Sequence, residues 1–362
     1  MTKAASVKTT DPLTGGVLPL APPEAPCALR VVGEPVELRL SLGTSQFTLG
    51  AARPADCLLA RKHISRRHAT IVRDGLWLAI EDTSKNGCRF GGATAKKFFV
   101  RAGNVFVAGD TSLIVLDARL RSLRSRLCWQ LGFASHKAVD AALVAVAGPS
   151  QPPLLLTGPV GYGPERLARA IHTHSGCRDL PLVTISARAP RRVVEAELAR
   201  AGAGAVCVDL RGVRRAGAAL VDNLFRTSAR VITFGDDARS MRHALDWHGY
   251  VAEIRSPAIV DRPPGEAIAM LDVALAEQES MHRVAAPGPL WDLLGPARET
   301  LARFDWPENH DDLRRAATRL SAWADAGGGI RAAARSLGVH ATTLREALCR
   351  LGVLAPKARG EE

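Results

Sequence analysis

From Arg30 to Asp117 apolar and polar positions alternate over short stretches. Val36, Leu38, Leu40 and Leu42 are separated by Glu37, Arg39 and Ser41, a period of two that turns one set of side chains to a buried face. Short apolar runs follow at Phe47 to Leu49, Ala69 to Val72, Trp77 to Ile80, Val105 to Ala108 and Leu113 to Leu116, with Gly, Asp and Asn turns between them. Many short strands joined by such turns predict an all-β sandwich over residues 30–117. Residues 1–29, rich in Thr, Pro and Ala, are expected to form a disordered lead. The Arg-rich stretch 118–134, with a helical pattern between Arg119 and Arg126, is expected to be a linker.

After about Ser135 the texture changes. Leu154 to Leu156, Leu182 to Ile185, Ala205 to Val208 and Val231 to Phe234 are apolar on both faces, as strands buried inside a parallel sheet should be. Amphipathic segments at Glu165 to His172, Arg192 to Ala201 and Gly217 to Ser228 lie between them, so residues 135–262 are predicted to be an α/β layered domain. Strand patterns stop beyond Pro264. Helical patterns at Glu266 to His282, Pro289 to Arg303 and Asp311 to Ala324 predict a helical subdomain over 263–326. Gly327-Gly328-Gly329 then breaks the chain before a last compact helical unit, 327–362.

The 362 residues are ample for several cores, and no window approaches the roughly 18 apolar residues that a membrane helix needs. The start lacks the basic-then-apolar order of a signal peptide. Seven scattered cysteines with no C-x-x-C pair argue against both a disulfide framework and a zinc site, so a reducing cytoplasm and no metal are expected. Lys plus Arg exceed Asp plus Glu by 48 to 36, a net charge of +12 that favours a polyanionic partner without saying which.

Three constellations give that charge candidate uses. Gly50, then Ser65-Arg66-Arg67-His68, then Asp82-Thr83-Ser84-Lys85-Asn86-Gly87 fall on successive turns of the first domain. This resembles a forkhead-associated (FHA) domain, whose signature is a Gly, an S-x-x-H and an N-G in that order, and it covers about a quarter of the chain. The resemblance implies binding of a phosphothreonine peptide. Ser65 and Arg66 would contact the phosphate, Ser84 or Lys85 would support it, Asn86 would fix the peptide backbone and His68 would brace the loops from within. The family usually follows its Gly with Arg. Here Ala51 and Ala52 intervene, so either Arg53 reaches the phosphate instead or affinity is weakened.

The second is a glycine loop, Gly158-Pro159-Val160-Gly161-Tyr162-Gly163, between the strand at Leu154 to Thr157 and the helix from Glu165. Strand, glycine loop, helix is the context of a phosphate-binding loop, but Pro164 and Glu165 stand where Lys and then Ser or Thr are required. The words L-A-R-A-I-H (residues 167–172), Pro181 to Ile185, Gly204 to Leu210 and Phe304 to Asn309 resemble the AAA+ domain of sigma-54-dependent activators. Asp209 matches a magnesium ligand of that family. Its activating Glu is Leu210 here, its sensor Arg is Asp311, and its G-A-F-T-G-A loop has no counterpart between Ile185 and Ala205. The resemblance with these departures implies a core without useful ATP hydrolysis, while Gly158, Gly161, Gly163 and Asp209 leave nucleotide binding without turnover open.

The third is the terminal unit. Ala333, Ala334, Leu337, Val339, Leu344, Leu348 and Leu351 are spaced to bury one face of each of two helices, joined at Gly338, which permits a left-handed turn. A-A-R-x-L-G-V followed by T-T-L resembles the Fis-type helix-turn-helix that ends sigma-54-dependent activators. By that resemblance His340, Thr342, Thr343, Arg345 and Arg350 are DNA contacts, and Arg331, Arg335, Lys357 and Arg359 offer further charge to phosphates. The whole reads as an FHA sandwich, a P-loop-type α/β domain with a helical lid, and a small all-α helix-turn-helix. The expected function is a DNA-binding transcription regulator that senses a phosphothreonine-bearing protein of a Ser/Thr kinase pathway. DNA and RNA polymerase are expected partners, and pairing of the chain is expected because such units read palindromes. The rivals are an active ATPase acting on sigma-54 and a phosphoprotein adaptor that does not bind DNA.

Overall fold

The computed structural model describes residues 25–41, 43–148, 152–224, 226–263, 265–282 and 294–355. Most of the expected lead, Leu42, the pattern from Pro289 to residue 293, and the candidate cations Lys357 and Arg359 lie outside these residues. The chain divides into two compact units, one spanning Ala21–Ala258 and one containing Ile259–Glu362.

The first unit opens with eleven strands among the described residues: β1 (Ala28–Val31), β2 (Glu37–Arg39), β3 (Gln46–Gly50), β4 (Cys57–Leu58), β5 (Ala69–Asp74), β6 (Trp77–Asp82), β7 (Cys88–Phe90), β8 (Ala93–Thr94), β9 (Lys97–Arg101), β10 (Val105–Ala108) and β11 (Thr111–Leu116). They form two sheets, ordered β2-β1-β11-β10-β7-β8 and β4-β3-β5-β6-β9. Apart from the parallel β3/β4 edge, neighbouring strands are antiparallel. Leu29, Val31, Phe47, Leu49, Ile71, Leu78, Ile80, Phe106, Leu113 and Val115 fill the space between the sheets. The first strand starts earlier than the sequence suggests. Ala28 and Leu29, assigned to a disordered lead, are fully buried strand residues.

Two helices follow, α1 (Ala118–Leu131) and α2 (His136–Ala147). Asp117 caps α1 by accepting the amide of Leu120 at 2.7 Å. Residues 118–134 are therefore not an exposed linker. Leu120, Leu123, Leu127 and Leu131 are buried in a core that also contains Ala28, Ile114 and Leu116 of the sandwich and Leu154, Leu156 and Ile232 of the next sheet. Strand β11 thus serves two cores, with Leu113 and Val115 facing into the sandwich and Ile114 and Leu116 facing the helices. A strand covered on both faces reads as a continuous apolar run, which is the form of Leu113-Ile114-Val115-Leu116.

The α/β part places β12 (Leu154–Thr157), β13 (Leu182–Ser186), β14 (Ala205–Asp209), β15 (Arg230–Gly235) and β16 (Ala252–Arg255) in one parallel sheet, ordered β13-β14-β15-β12-β16. Helices α3 (Pro164–Thr173), α4 (Arg191–Ala201), α5 (Ala218–Leu224) and α6 (Ala238–Leu245) connect successive strands.

In the second unit, α7 (Glu266–His282), a 3-10 turn at Gly295–Ala297, α8 (Arg298–Ala302), α9 (Asn309–Asp325), α10 (Ile330–Ser336) and α11 (Ala341–Arg350) are all helical. The Trp306-Pro307-Glu308-Asn309 word has a structural role. The Trp306 side chain is buried, and Asn309 Oδ1 accepts the amide of Ile259 at 2.9 Å. Between α10 and α11 the chain turns at Gly338, φ 64°. Ala333, Ala334, Leu344, Leu348 and Leu351 are buried, whereas Val339, expected in this core, is exposed.

Candidate functional site

The loop β3–β4, the residues 59–68 leading into β5, and the loop β6–β7 meet at one end of the sandwich. Gly50 makes the meeting close, since a Cβ there would collide with the backbone carbonyl of Arg66. The amide of Ala51 donates to Ser65 O at 2.9 Å, and that of His68 to Leu49 O at 2.7 Å. Ser65 lies at the junction. Its amide donates to His68 Nδ1 at 3.1 Å and its Oγ accepts the Lys85 amide at 3.2 Å, so the hydroxyl proton is left for a ligand. Asn86 Nδ2 donates to His63 O at 2.9 Å, which fixes the amide plane while leaving its Oδ1 outward.

Ser84 has a different role. Its hydroxyl donates to Asp82 Oδ1 at 2.6 Å and accepts the Gly87 amide at 2.8 Å, so the proton that a phosphate would need is spent inside the loop. The side chains of Arg53, Arg66, Arg67 and Lys85 are exposed and form no ion pair or hydrogen bond with another described residue. Four unneutralised cations on these three loops make a local positive field suited to a multiply charged anion.

Below the loops His68 is fully buried, and burial holds its imidazole below the ordinary histidine range. His68, Asp82 and Cys88 bring ligand atoms within 4.8 Å of one another. The Lys96 ammonium is already 3.1 Å from Asp82 Oδ2, and burial with the neighbouring Asp82 charge pushes the Cys88 thiol up to about 12, keeping it protonated.

The glycine loop starts α3. Gly161 and Gly163 adopt φ of 75° and 70°, Gly163 caps the helix, and Pro164 takes its first position, where a missing N–H costs the helix nothing. Tyr162 is folded under the loop: its hydroxyl donates to Leu156 O at 2.9 Å and its ring lies 2.6 Å from where a Cβ of Gly158 would be. Its amide closes a turn on Pro159 O at 3.1 Å. Asp209 ends β14, and Arg211 grips it with two bonds, Nε to Oδ1 at 2.9 Å and Nη2 to Oδ2 at 2.6 Å, while Nη2 also reaches Glu165 Oε1 at 3.0 Å. These contacts hold the Asp209 carboxyl below its ordinary value. Leu210 is buried, pointing away from this face. Arg211 escaped the sequence reading because neither hydropathy nor spacing marks a cation one residue past a motif.

In the terminal unit His340 caps α11, its ring nitrogen lying 3.0 Å from Thr342 Oγ1. Thr342 and Thr343 are exposed and Arg345 is half-buried. Arg350 is partly committed elsewhere: Nη2 is 3.3 Å from Asp312 Oδ1 and the guanidinium lies over the Phe304 ring at 5.8 Å.

Residues 47–107 match the family model of the FHA domain. The first domain is therefore an FHA domain, and the loops just described lie together at one end of it. Among solved structures the chain is similar to the FHA domain of the CT664 protein from Chlamydia trachomatis, 28% identical over 26% of this chain and 98% of that one, with a TM-score of 0.24. It is also similar to the Mycobacterium tuberculosis Rv1747 FHA-1 domain, 23% identical over 26% and 100%, TM-score 0.22. NtrX from Brucella abortus, solved in complex with ATP, is 17% identical over 65% of this chain and 68% of that one, TM-score 0.36. No curated protein matches the sequence. No helix among the described residues is long and apolar enough to cross a membrane.

Proposed function

We propose that the protein is a DNA-binding transcription regulator that is addressed through its FHA domain by a phosphothreonine-bearing partner, and that its α/β core does not hydrolyse ATP. The observation that carries the first part is the free Ser65 hydroxyl at the junction of loops that carry the exposed, unpaired cations Arg53, Arg66 and Lys85. Phosphothreonine carries close to two negative charges, and guanidinium groups pair with its oxygens through charge-assisted bonds. Ser65 donates its proton, Arg66 and Arg53 close on the remaining oxygens, and Asn86 meets the peptide backbone beyond the phosphate.

The reading of the core is supported by the groups around the glycine loop. A magnesium–nucleotide needs a lysine for its phosphates and a free carboxylate for its metal. Pro164 supplies neither cation nor N–H, and Asp209 is already neutralised by Arg211. The residues present do not fit that group. Each such group is worth on the order of 10² to 10⁵ in rate in working enzymes. DNA recognition is supported by α10 and α11, two short helices joined at a left-handed glycine, with Thr342, Thr343 and Arg345 outside their shared core.

Titration with matched peptides tests the first part: phosphothreonine peptides bind and their unphosphorylated twins do not. Equal binding of both would overturn it. A genome-wide occupancy map of the parent and Arg345→Ala tests the second, with site-specific enrichment expected only for the parent.

A further inference from the structure

The turn after α3 carries a side-chain cluster that neither phosphate-facing site uses. His172, in the last turn of α3, is buried and holds Nε2 2.9 Å from the carbonyl of Leu180. A carbonyl only accepts, so in the neutral ring the proton sits on Nε2 and Nδ1 is left as an acceptor. Nδ1 is 3.7 Å from Cys177 Sγ. Ser175 Oγ lies 3.1 Å from the same sulfur, donates to His172 O at 2.7 Å and accepts the Cys177 amide at 3.3 Å, which ties the turn to itself.

A second, independent observation is Arg230 at the start of β15. It is 6% exposed and gives Nη1 and Nη2 to the carbonyls of Val146 and Ala145 at 2.8 and 3.1 Å. Its Nε has no hydrogen-bond partner among the described residues, and the buried charge acts on Cys177. Burial alone pushes the Cys177 thiol up, but its contacts with His172 and Ser175 and the charge of Arg230 outweigh it and hold the thiol below its ordinary value. The contrast within the chain is sharp: Cys57, Cys88 and Cys207, buried without such partners, are pushed up to about 11, 12 and 12. Cys177 is half-buried and not sealed from solvent.

We propose that Cys177 is a modification site, a thiol activated by His172 and Arg230 that reacts with low-molecular-weight disulfides and is reversibly capped by them. His172 Nδ1 takes the thiol proton. The thiolate lone pair attacks one sulfur of the disulfide R–S–S–R, the Cys177 S–S–R bond forms as the original S–S bond breaks, and the departing RS⁻ takes the electron pair and then the proton from His172. Cys177 is oxidised and the small disulfide is reduced, with no other reagent. Attack by a second small thiol on the mixed disulfide reverses the step. Capping removes the contact of the sulfur with His172, and so acts on the C-terminal turn of the helix that begins at Gly163.

The test is reaction of the full-length native protein with glutathione disulfide at neutral pH, followed by peptide mass spectrometry at each cysteine. Cys27 and Cys349, half-buried as Cys177 is, are the internal comparators. Cys177 is expected to be capped first, about 10-fold faster than Cys349. Its pH–rate profile should bend below about 8.5, the usual thiol value. In His172→Gln the Cys177 rate falls to that of Cys349, whose own rate is unchanged. Where that variant does not fold, the parent's pH–rate profile decides. Capping of Cys177 no faster than Cys349, or a profile bending at or above the usual thiol value, overturns the proposal.

Discussion

Arg30 and Asp140 meet as a buried ion pair across 110 positions of chain, Arg30 Nε lying 2.8 and 3.0 Å from the two carboxylate oxygens. Arg30 belongs to the first strand of the FHA domain and Asp140 to the helix that precedes the parallel sheet. Arg124 adds a second guanidinium at 2.9 Å, and the Gly33 amide a fourth bond at 2.9 Å. Removing Asp140 leaves two arginines without their anion in a place that excludes water. Asp140→Ala is expected to cost about 3–5 kcal/mol, seen as a lower urea midpoint of the full chain. A midpoint unchanged within error would show that the pair is not holding the two parts together.

At the FHA loops, substitution should separate contact from support. On the proposed function, Ser65→Ala and Arg66→Ala would each remove a charge-assisted bond to phosphate, worth about 1.5–3 kcal/mol, and should weaken phosphothreonine peptide binding about 10-fold or more with little change in melting temperature. Ser84→Ala should do the reverse. Asp82 and the Gly87 amide lose their partner, so stability falls by about 1–3 kcal/mol. Calorimetric titration and thermal melts on the same three variants distinguish the two patterns.

Single-turnover measurement with labelled ATP should show no hydrolysis above the buffer background. Arg211→Ala releases Asp209 and Glu165 from their shared cation. Manganese, as a spectroscopic probe, should bind this variant more tightly than the parent, and still without hydrolysis. Turnover by the parent would reverse the reading of Pro164.

On the terminal helices, Arg345→Ala should lower specific DNA affinity by about 1–3 kcal/mol, with the loss concentrated at one base position. Arg350→Ala should act mainly on the fold, because its guanidinium rests on Asp312 and the Phe304 ring. Salt titration of binding for both variants, beside their melting curves, gives the comparison.

His68 sets an acid limit on the FHA domain. Burial lowers its folded pKa below the ordinary value of 6.5, so the neutral ring is favoured in the native state. The stability it contributes is complete above 6.5 and is lost as pH falls through the lower folded value. Histidine resonances followed by NMR should show the His68 imidazole with a midpoint below 6.5 that moves with unfolding. A His68 midpoint at or above 6.5 would contradict this.

Much of this architecture was legible in the pattern of apolar residues. The period of two located β2, short apolar runs located β3, β5, β6, β10 and β11, and the doubly apolar runs located β12 to β15 within a residue or two. Strands β7, β8 and β9 escaped because their alternation is interrupted: Phe99 is exposed and β8 is two residues long. Helix α1 read as a linker because its arginines dominate the text, although Leu120, Leu123 and Leu127 fall at helical spacing. Strand β16 was hidden by Glu253 and Arg255, polar residues on an edge. The order of the FHA loops was visible in Gly50, Ser65 and Asn86, but the spending of the Ser84 proton was not. Hydrogen-bond direction depends on where Asp82 and Gly87 arrive, and one-dimensional spacing does not carry it.

The shared core around α1 has a consequence for signalling. A recognition domain on a slack tether can swing toward a partner and tug at the domain behind it. Here Ile114 and Leu116 on the back of the sandwich and Leu154 and Leu156 in the parallel sheet are packed into one apolar mass, so there is no slack to take up. On the proposed function, a phosphorylated partner bound at Ser65 would be berthed at a fixed offset from the glycine loop. Phosphorylation would then decide which protein is moored beside the sheet, as a postal address does, by naming a destination without moving it.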